Sequence, residues 1–311
     1  MTGNTGFHLD VGGGHQIWLQ PWGNPEGLPV LFLHGGPGSG CNPGQSALFD
    51  AARHRVIFMD QRGAGQSLPH RGREANTTAH VLADIEKLRR HCGIERWLVV
   101  GGSWGATLAL AYAQKWPERV TGIVLRATFL GTRAELDWAF GTGLRTFHPG
   151  LQGDLLALLP ECERADPLPA LWRRILDPDP RLHRPAALGW YQVERALSEL
   201  TPGLTRLASA GPDDCGTSPL PATPFMEAHY FLNDCFLAPD ALLAGAGRLS
   251  GIPGRIVQAR YDLLCPPITA HRLANAWPEA KLIMVETAGH SLGHPEVARA
   301  VRAGVADLTP G

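Results

Sequence analysis

No apolar run in this sequence approaches the roughly 20 residues that a bilayer-spanning helix needs. The first sixteen residues, MTGNTGFHLDVGGGHQ, contain neither a basic n-region nor an apolar h-region. No secretory signal is expected, and a cytoplasmic location is. Charge of either sign is missing in excess: the formal net charge is −1, which argues against nucleic acid or an anionic membrane as partner. Cysteine pairing signals are missing too. Cys41, Cys92, Cys162, Cys215, Cys235 and Cys265 show no C-x-x-C spacing and no histidine at metal-ligand distance. Free thiols are expected, without disulfides or zinc. Lysine is scarce, only Lys87, Lys115 and Lys281 against a large excess of arginine. We read this as genomic bias and attach no function to it. Charged residues are 18% and hydrophobic residues 44% of 311, which excludes a disordered chain and allows one large core or two smaller ones.

What is present is a β-α-β alternation. PVLFLH (Pro29–His34), RVIFMD (Arg55–Asp60), RWLVVG and VTGIVL (Val120–Leu125) are short, continuously apolar runs that predict buried strands. NTTAHVLADIEKLRRHCGI predicts a helix capped by Thr77 or Thr78 and ended near Cys92–Gly93. ATLALAYAQKWP predicts another, stopped near Pro117. From about Phe129 to Asn233 the β-type runs vanish, and prolines punctuate leucine- and tryptophan-rich helical patterns. GRIVQA (Gly254–Ala259) and KLIMVE (Lys281–Glu286) then resume the strands, while residues 212–224 suggest a loop. The expected class is α/β: a mostly parallel sheet with helices on both faces. Its core is built from residues 1–128 and 236–311, with a helical insertion over 129–235.

LVVGGSWGATLAL, Leu98–Leu110, poses a chemical question. A buried strand ends in Gly-Gly-Ser-Trp-Gly and turns at once into a helix. G-x-S-x-G at a strand-to-helix junction lifts a serine hydroxyl above the sheet and leaves room only for small neighbours. Ser103 is then a nucleophile rather than an incidental helix cap. It needs an acid and a histidine, in that order along the chain, each following a late strand. Asp262 follows GRIVQA and His290 follows KLIMVE. Glu286 is a weaker candidate for the acid, because it shares a segment with the histidine it would orient. LHGGPGSG (Leu33–Gly40) follows an early strand and places Gly36 to donate one oxyanion N–H, with the N–H of Trp104 as the other.

With HGGPG, DQRGAGQS (60–67), GGSWGATLALAYAQ (101–114), ARYDLLCPP (259–267) and AGHS (288–291), the sequence resembles the proline iminopeptidases, a family of α/β-hydrolases. The resemblance implies an α/β-hydrolase fold with an inserted helical cap. It implies release of an N-terminal residue, preferentially proline, from a small peptide through an acyl-enzyme, with no cofactor. The alternative is an ester or amide hydrolase with no free-amine requirement. A binding protein on the same scaffold would be expected to lack a triad member. Asp60 and Arg62 of DQRG are read as supporting the fold.

The family's amine-binding carboxylates imply substrate-binding roles for Glu194 in GWYQVE and Glu227 in MEAHYF. LRATFLGTRAELDW resembles a further family stretch and matches it at Arg126, Phe129, Arg133, Glu135 and Trp138. Ala127, Thr128, Val193 and Ala228 depart from the family pattern. Arg126 is expected to compensate the two glutamates partly in the empty site. Phe129, Trp138 and Phe140 are candidates for a proline pocket. Cys265 is expected to pack under the site, where a bulky thiol reagent would block it.

Overall fold

Alternation in the strands builds two apolar layers. The computed structural model describes residues 5–208 and 219–310; Cys215 and residues 212–218 of the expected loop lie outside them. Eight strands are present among the described residues: β1 (Phe7–Gly12), β2 (His15–Gly23), β3 (Leu28–Leu33), β4 (His54–Met59), β5 (Trp97–Ser103), β6 (Val120–Thr128), β7 (Gly254–Ala259) and β8 (Ala280–Val285). Their order is β1-β2-β4-β3-β5-β6-β7-β8. The pairs from β4 through β8 are parallel, while β1–β2 and β2–β4 are antiparallel. Leu31, Leu33, Ile57, Met59, Val99 and Ile123 face one apolar layer, and their neighbours Val30, Phe32, Val56, Phe58, Val100 and Val124 face the other. Both faces are therefore buried, as continuous apolar strands require.

α1 (Thr78–His91) and α2 (Trp104–Lys115) belong to the first layer. Thr77 caps α1 by accepting from the His80 N–H. The inserted helices are α3 (Arg133–Asp137), α4 (Leu144–Phe147), α5 (Pro149–Ala157), α6 (Pro167–Ile175), α7 (Pro180–Ser198) and α8 (Thr223–Phe231). A π-helical turn over Trp138–Gly143 joins α3 to α4. α8 begins inside the expected loop, with Pro224 in its first turn, where a missing N–H costs nothing. α9 (Ala241–Ala244), α10 (Pro267–Ala276) and α11 (Pro295–Asp307) complete the chain; Val297, Val301 and Val305 of α11 pack on the second layer. Among the described residues no helix is long and apolar enough to cross a membrane.

The DQRG segment ties this frame together. Asp60 accepts from the N–H groups of Cys41 at 2.6 Å and Gln66 at 2.8 Å. Arg62 makes a two-pronged buried pair with Asp84 of α1, at 2.6 and 2.7 Å. Parallel pairing then brings the segments after β3, β5, β7 and β8 to one sheet edge.

Candidate active site

Ser103 ends β5 and precedes α2 with φ 55° and ψ −121°. This is a backbone that L side chains adopt only under strain of about 1–3 kcal/mol. The glycines around it are enforced by close approach. A Cβ on Gly101 would strike the carbonyl of Gly105, and one on Gly105 would strike that of Leu33. One on Gly102 would lie 2.6 Å from the Arg126 guanidinium. The turn thus passes directly under the end of β3, and the serine emerges above it.

His290 Nδ1 lies 3.0 Å from each carboxylate oxygen of Asp262. Asp262 is buried, and its Oδ1 also accepts from the N–H groups of Leu264 at 3.0 Å and Cys265 at 2.8 Å. Arg126 donates to the His290 carbonyl at 2.5 Å and so braces the histidine loop. Ser103 and His290 line one cavity of about 280 Å³ together with Gly36, Arg126 and Glu194. Glu286 stands apart, in an exposed pair with Arg260 at 2.8 Å.

A smaller cavity, about 30 Å³, opens beside the serine. Gly36, Phe129, Phe140 and Phe231 form its apolar wall; Glu194 of α7 and Glu227 of α8 supply its polar end. The two carboxyl groups lie close enough to perturb each other. Trp190 donates to Glu227 Oε2 at 2.6 Å, and its ring stacks on Phe140 with centroids 4.1 Å apart. Burial, and then the charge of Glu194, push the Glu227 carboxyl well above its ordinary range. Burial also raises Glu194, against the pull of nearby His290. Two carboxylates in contact, one of them buried, cannot both ionise cheaply, which favours sharing of a proton between them in the empty site.

Two expected placements differ in the structure. Trp138 lines neither cavity; its indole packs over Gly143. The π turn inserts an extra residue and moves the inward phase to Ala139 and Phe140, which line the smaller cavity. Arg126 lines the larger cavity, but its charge faces Asp262 and Cys265 rather than the two glutamates.

The departures from the family pattern are also placed. Ala127 sits at φ 50°, where glycine is the unstrained choice, while Val193 and Ala228 are fully buried. The Thr128 hydroxyl is buried without a partner. Cys265 contacts Ser103 and lines the smaller cavity, with its thiol pushed up by burial and by Asp262.

Donor atoms of Asp262, Cys265 and His290 lie within 4.8 Å of one another. The carboxylate and imidazole already bond to each other, and the Arg126 charge stands against a second cation there. Phe140 stands where the sequence reading put it, whereas Phe231 of the wall and the Trp190 donor to Glu227 were not read from sequence, although W-x-x-x-E in α7 placed Trp190 one turn before Glu194.

The sequence matches the α/β hydrolase fold family over residues 29–160. It is 43% identical over 291 residues to a proline iminopeptidase of Xylella fastidiosa, covering 93% of this chain and 91% of that one. It is 40% identical over 305 residues to the proline iminopeptidase of Neisseria gonorrhoeae, covering 97% and 96%. The solved proline iminopeptidase of Mycobacterium smegmatis superposes with a TM-score of 0.57 at 23% identity, covering 98% and 97%, which speaks for the fold alone.

Proposed function

The chain belongs to the proline iminopeptidase family of α/β-hydrolases, and from that premise we propose that it releases N-terminal proline from small peptides as a serine exopeptidase. Residues 129–235 form the cap over a core made from 1–128 and 236–311. Ser103 is the nucleophile, His290 its base, and Asp262 holds the imidazole through Nδ1 so that Nε2 faces the hydroxyl. The N–H groups of Gly36 and Trp104 receive the oxyanion, the latter at the N-terminus of α2. The proline ring is directed to the apolar wall of Phe129, Phe140 and Phe231, whose cavity of about 30 Å³ must widen to take it. Its ammonium meets Glu194 and Glu227, and the proton they share is released to solvent through the larger cavity that Glu194 also lines. His290 then protonates the departing amine, the peptide leaves through the larger cavity, and water resolves the acyl-enzyme.

The observation that carries this reading is the carboxyl pair buried beside the serine. An ester or amide without a free amine offers no cation to that pair, so the pair would have no part in its binding, which disfavours the esterase alternative. The test compares a prolyl arylamide, its N-acetylated form and a short-chain aryl ester. Strong preference for the free amine is expected. Preference for the ester, with indifference to acetylation, would overturn the peptidase assignment.

A further inference from the structure

Gln61 follows β4 and is buried, with 3% of its surface exposed. It lines neither cavity described above, yet it is bonded to segments on both sides of the site. Its Nε2 donates to the His34 carbonyl at 2.9 Å, and its backbone N–H donates to His34 Nε2 at 3.0 Å. Its Oε1 accepts from Trp104 Nε1 at 2.8 Å.

The His34 ring continues the chain of bonds. Because Nε2 accepts, the ring proton sits on Nδ1, which donates to the Gly35 carbonyl at 2.8 Å. Burial keeps this imidazole neutral by lowering its proton affinity. The Gly35 carbonyl and the Gly36 N–H belong to one planar trans peptide unit. Fixing the carbonyl therefore fixes the N–H, which points the opposite way, at a residue that lines both cavities. At the other end, the indole anchor holds Trp104, whose backbone N–H is the second donor.

We propose that Gln61 is a positioning residue that holds both N–H donors of the oxyanion hole, Gly36 through His34 and Trp104 through its indole. The inference rests on the assignment of those two N–H groups made above. Pre-set donors stabilise charge only as it develops, so their loss falls on the transition state and not on substrate binding.

The test uses Gln61→Leu and Gln61→Glu in the full chain, checked for a cooperative melt. Turnover is measured on the prolyl arylamide and the aryl ester. Affinity is measured for prolinal, an aldehyde whose hemiacetal carries an oxyanion, and for pyrrolidine, an amine without one. For Gln61→Leu, kcat on both substrates is expected to fall about 10- to 100-fold. Prolinal affinity falls by the same factor, while KM and pyrrolidine affinity stay within about twofold.

Gln61→Glu keeps an acceptor for Trp104 and donates to the His34 carbonyl only when protonated. Its kcat relative to wild type should therefore fall as pH rises, a limb that a mere packing defect would not create. This variant carries the test if the leucine variant does not fold. A folded variant with wild-type kcat and prolinal affinity would overturn the inference, as would losses confined to KM and pyrrolidine binding. A wild-type enzyme that hydrolyses the ester but not the prolyl arylamide would overturn the peptidase reading and leave the ester arm to judge Gln61.

Discussion

Glu227→Gln separates amine recognition from the rest of the machinery. Glu227 is 2% exposed, is held by Trp190 at 2.6 Å and touches Glu194. A bound ammonium would convert the proton-sharing pair into a buried ionic cluster. Removing one partner from a buried ion pair costs about 3–5 kcal/mol. Glutamine still accepts from Trp190, and Glu194 keeps one charge, so the lower end applies. At 1.4 kcal/mol per decade, about 3 kcal/mol is roughly a 100-fold loss in kcat/KM for the free amine. It should appear in KM. The aryl ester, which carries no ammonium, should change by less than about twofold.

The same variant has a stability signature. The folded-state pKa of Glu227 is raised, so above the ordinary carboxylate range the folded state binds a proton that the unfolded chain has released. Stability then falls as pH rises, from the unfolded pKa up to the folded one. Glutamine has no such loss. The melting temperature of Glu227→Gln, relative to wild type, should therefore climb with pH through that window and show no gain below it. Equal kinetic losses on amine and ester, or a melting difference that is flat with pH, would refute the paired-carboxyl argument.

Ser103→Ala should lose turnover by roughly 10³-fold or more while melting like wild type. Ser103→Gly should be equally inactive but more stable by about 1 kcal/mol in denaturant titrations, because glycine relieves the strain of φ 55°. Trp190→Phe keeps an aromatic ring against Phe140 but loses the donor to Glu227; KM for the prolyl arylamide should rise about 10-fold with kcat little changed. Cys265 should react slowly with a maleimide, since its buried thiol is held neutral. Each adduct should cost one active site, and full activity after modification verified by mass would count against its position at the cavity.

Sequence legibility followed the range of the interaction involved. β3 through β8 were readable because strands buried on both faces are continuously apolar, a local property. β1 and β2 were missed although FHLDVG and HQIWLQ alternate and Gly12–Gly14 mark the turn between them. Their pattern is half polar and passes for surface when only buried strands are sought. Ser103, Asp262 and His290 were readable because parallel pairing carries the strand ends to one edge, so order along the chain becomes proximity in space.

The inserted helices obey no such rule, since their inward phase depends on each turn being α-helical. One π turn at Trp138–Gly143 was enough to turn Trp138 out of the pocket while Phe140 stays in its wall. The charge around the glutamates failed for a related reason. Arg126 is near the site along β6, yet its guanidinium is drawn to the His290 carbonyl and Asp262, both more than 130 residues away in sequence. Gln61 is the limiting case. Nothing in DQRG separates a solvent-facing glutamine from one bonded to His34 and Trp104 at once. Only when β3, β4 and β5 lie side by side do its neighbours converge, so a residue whose role is to join elements becomes visible only after they are joined.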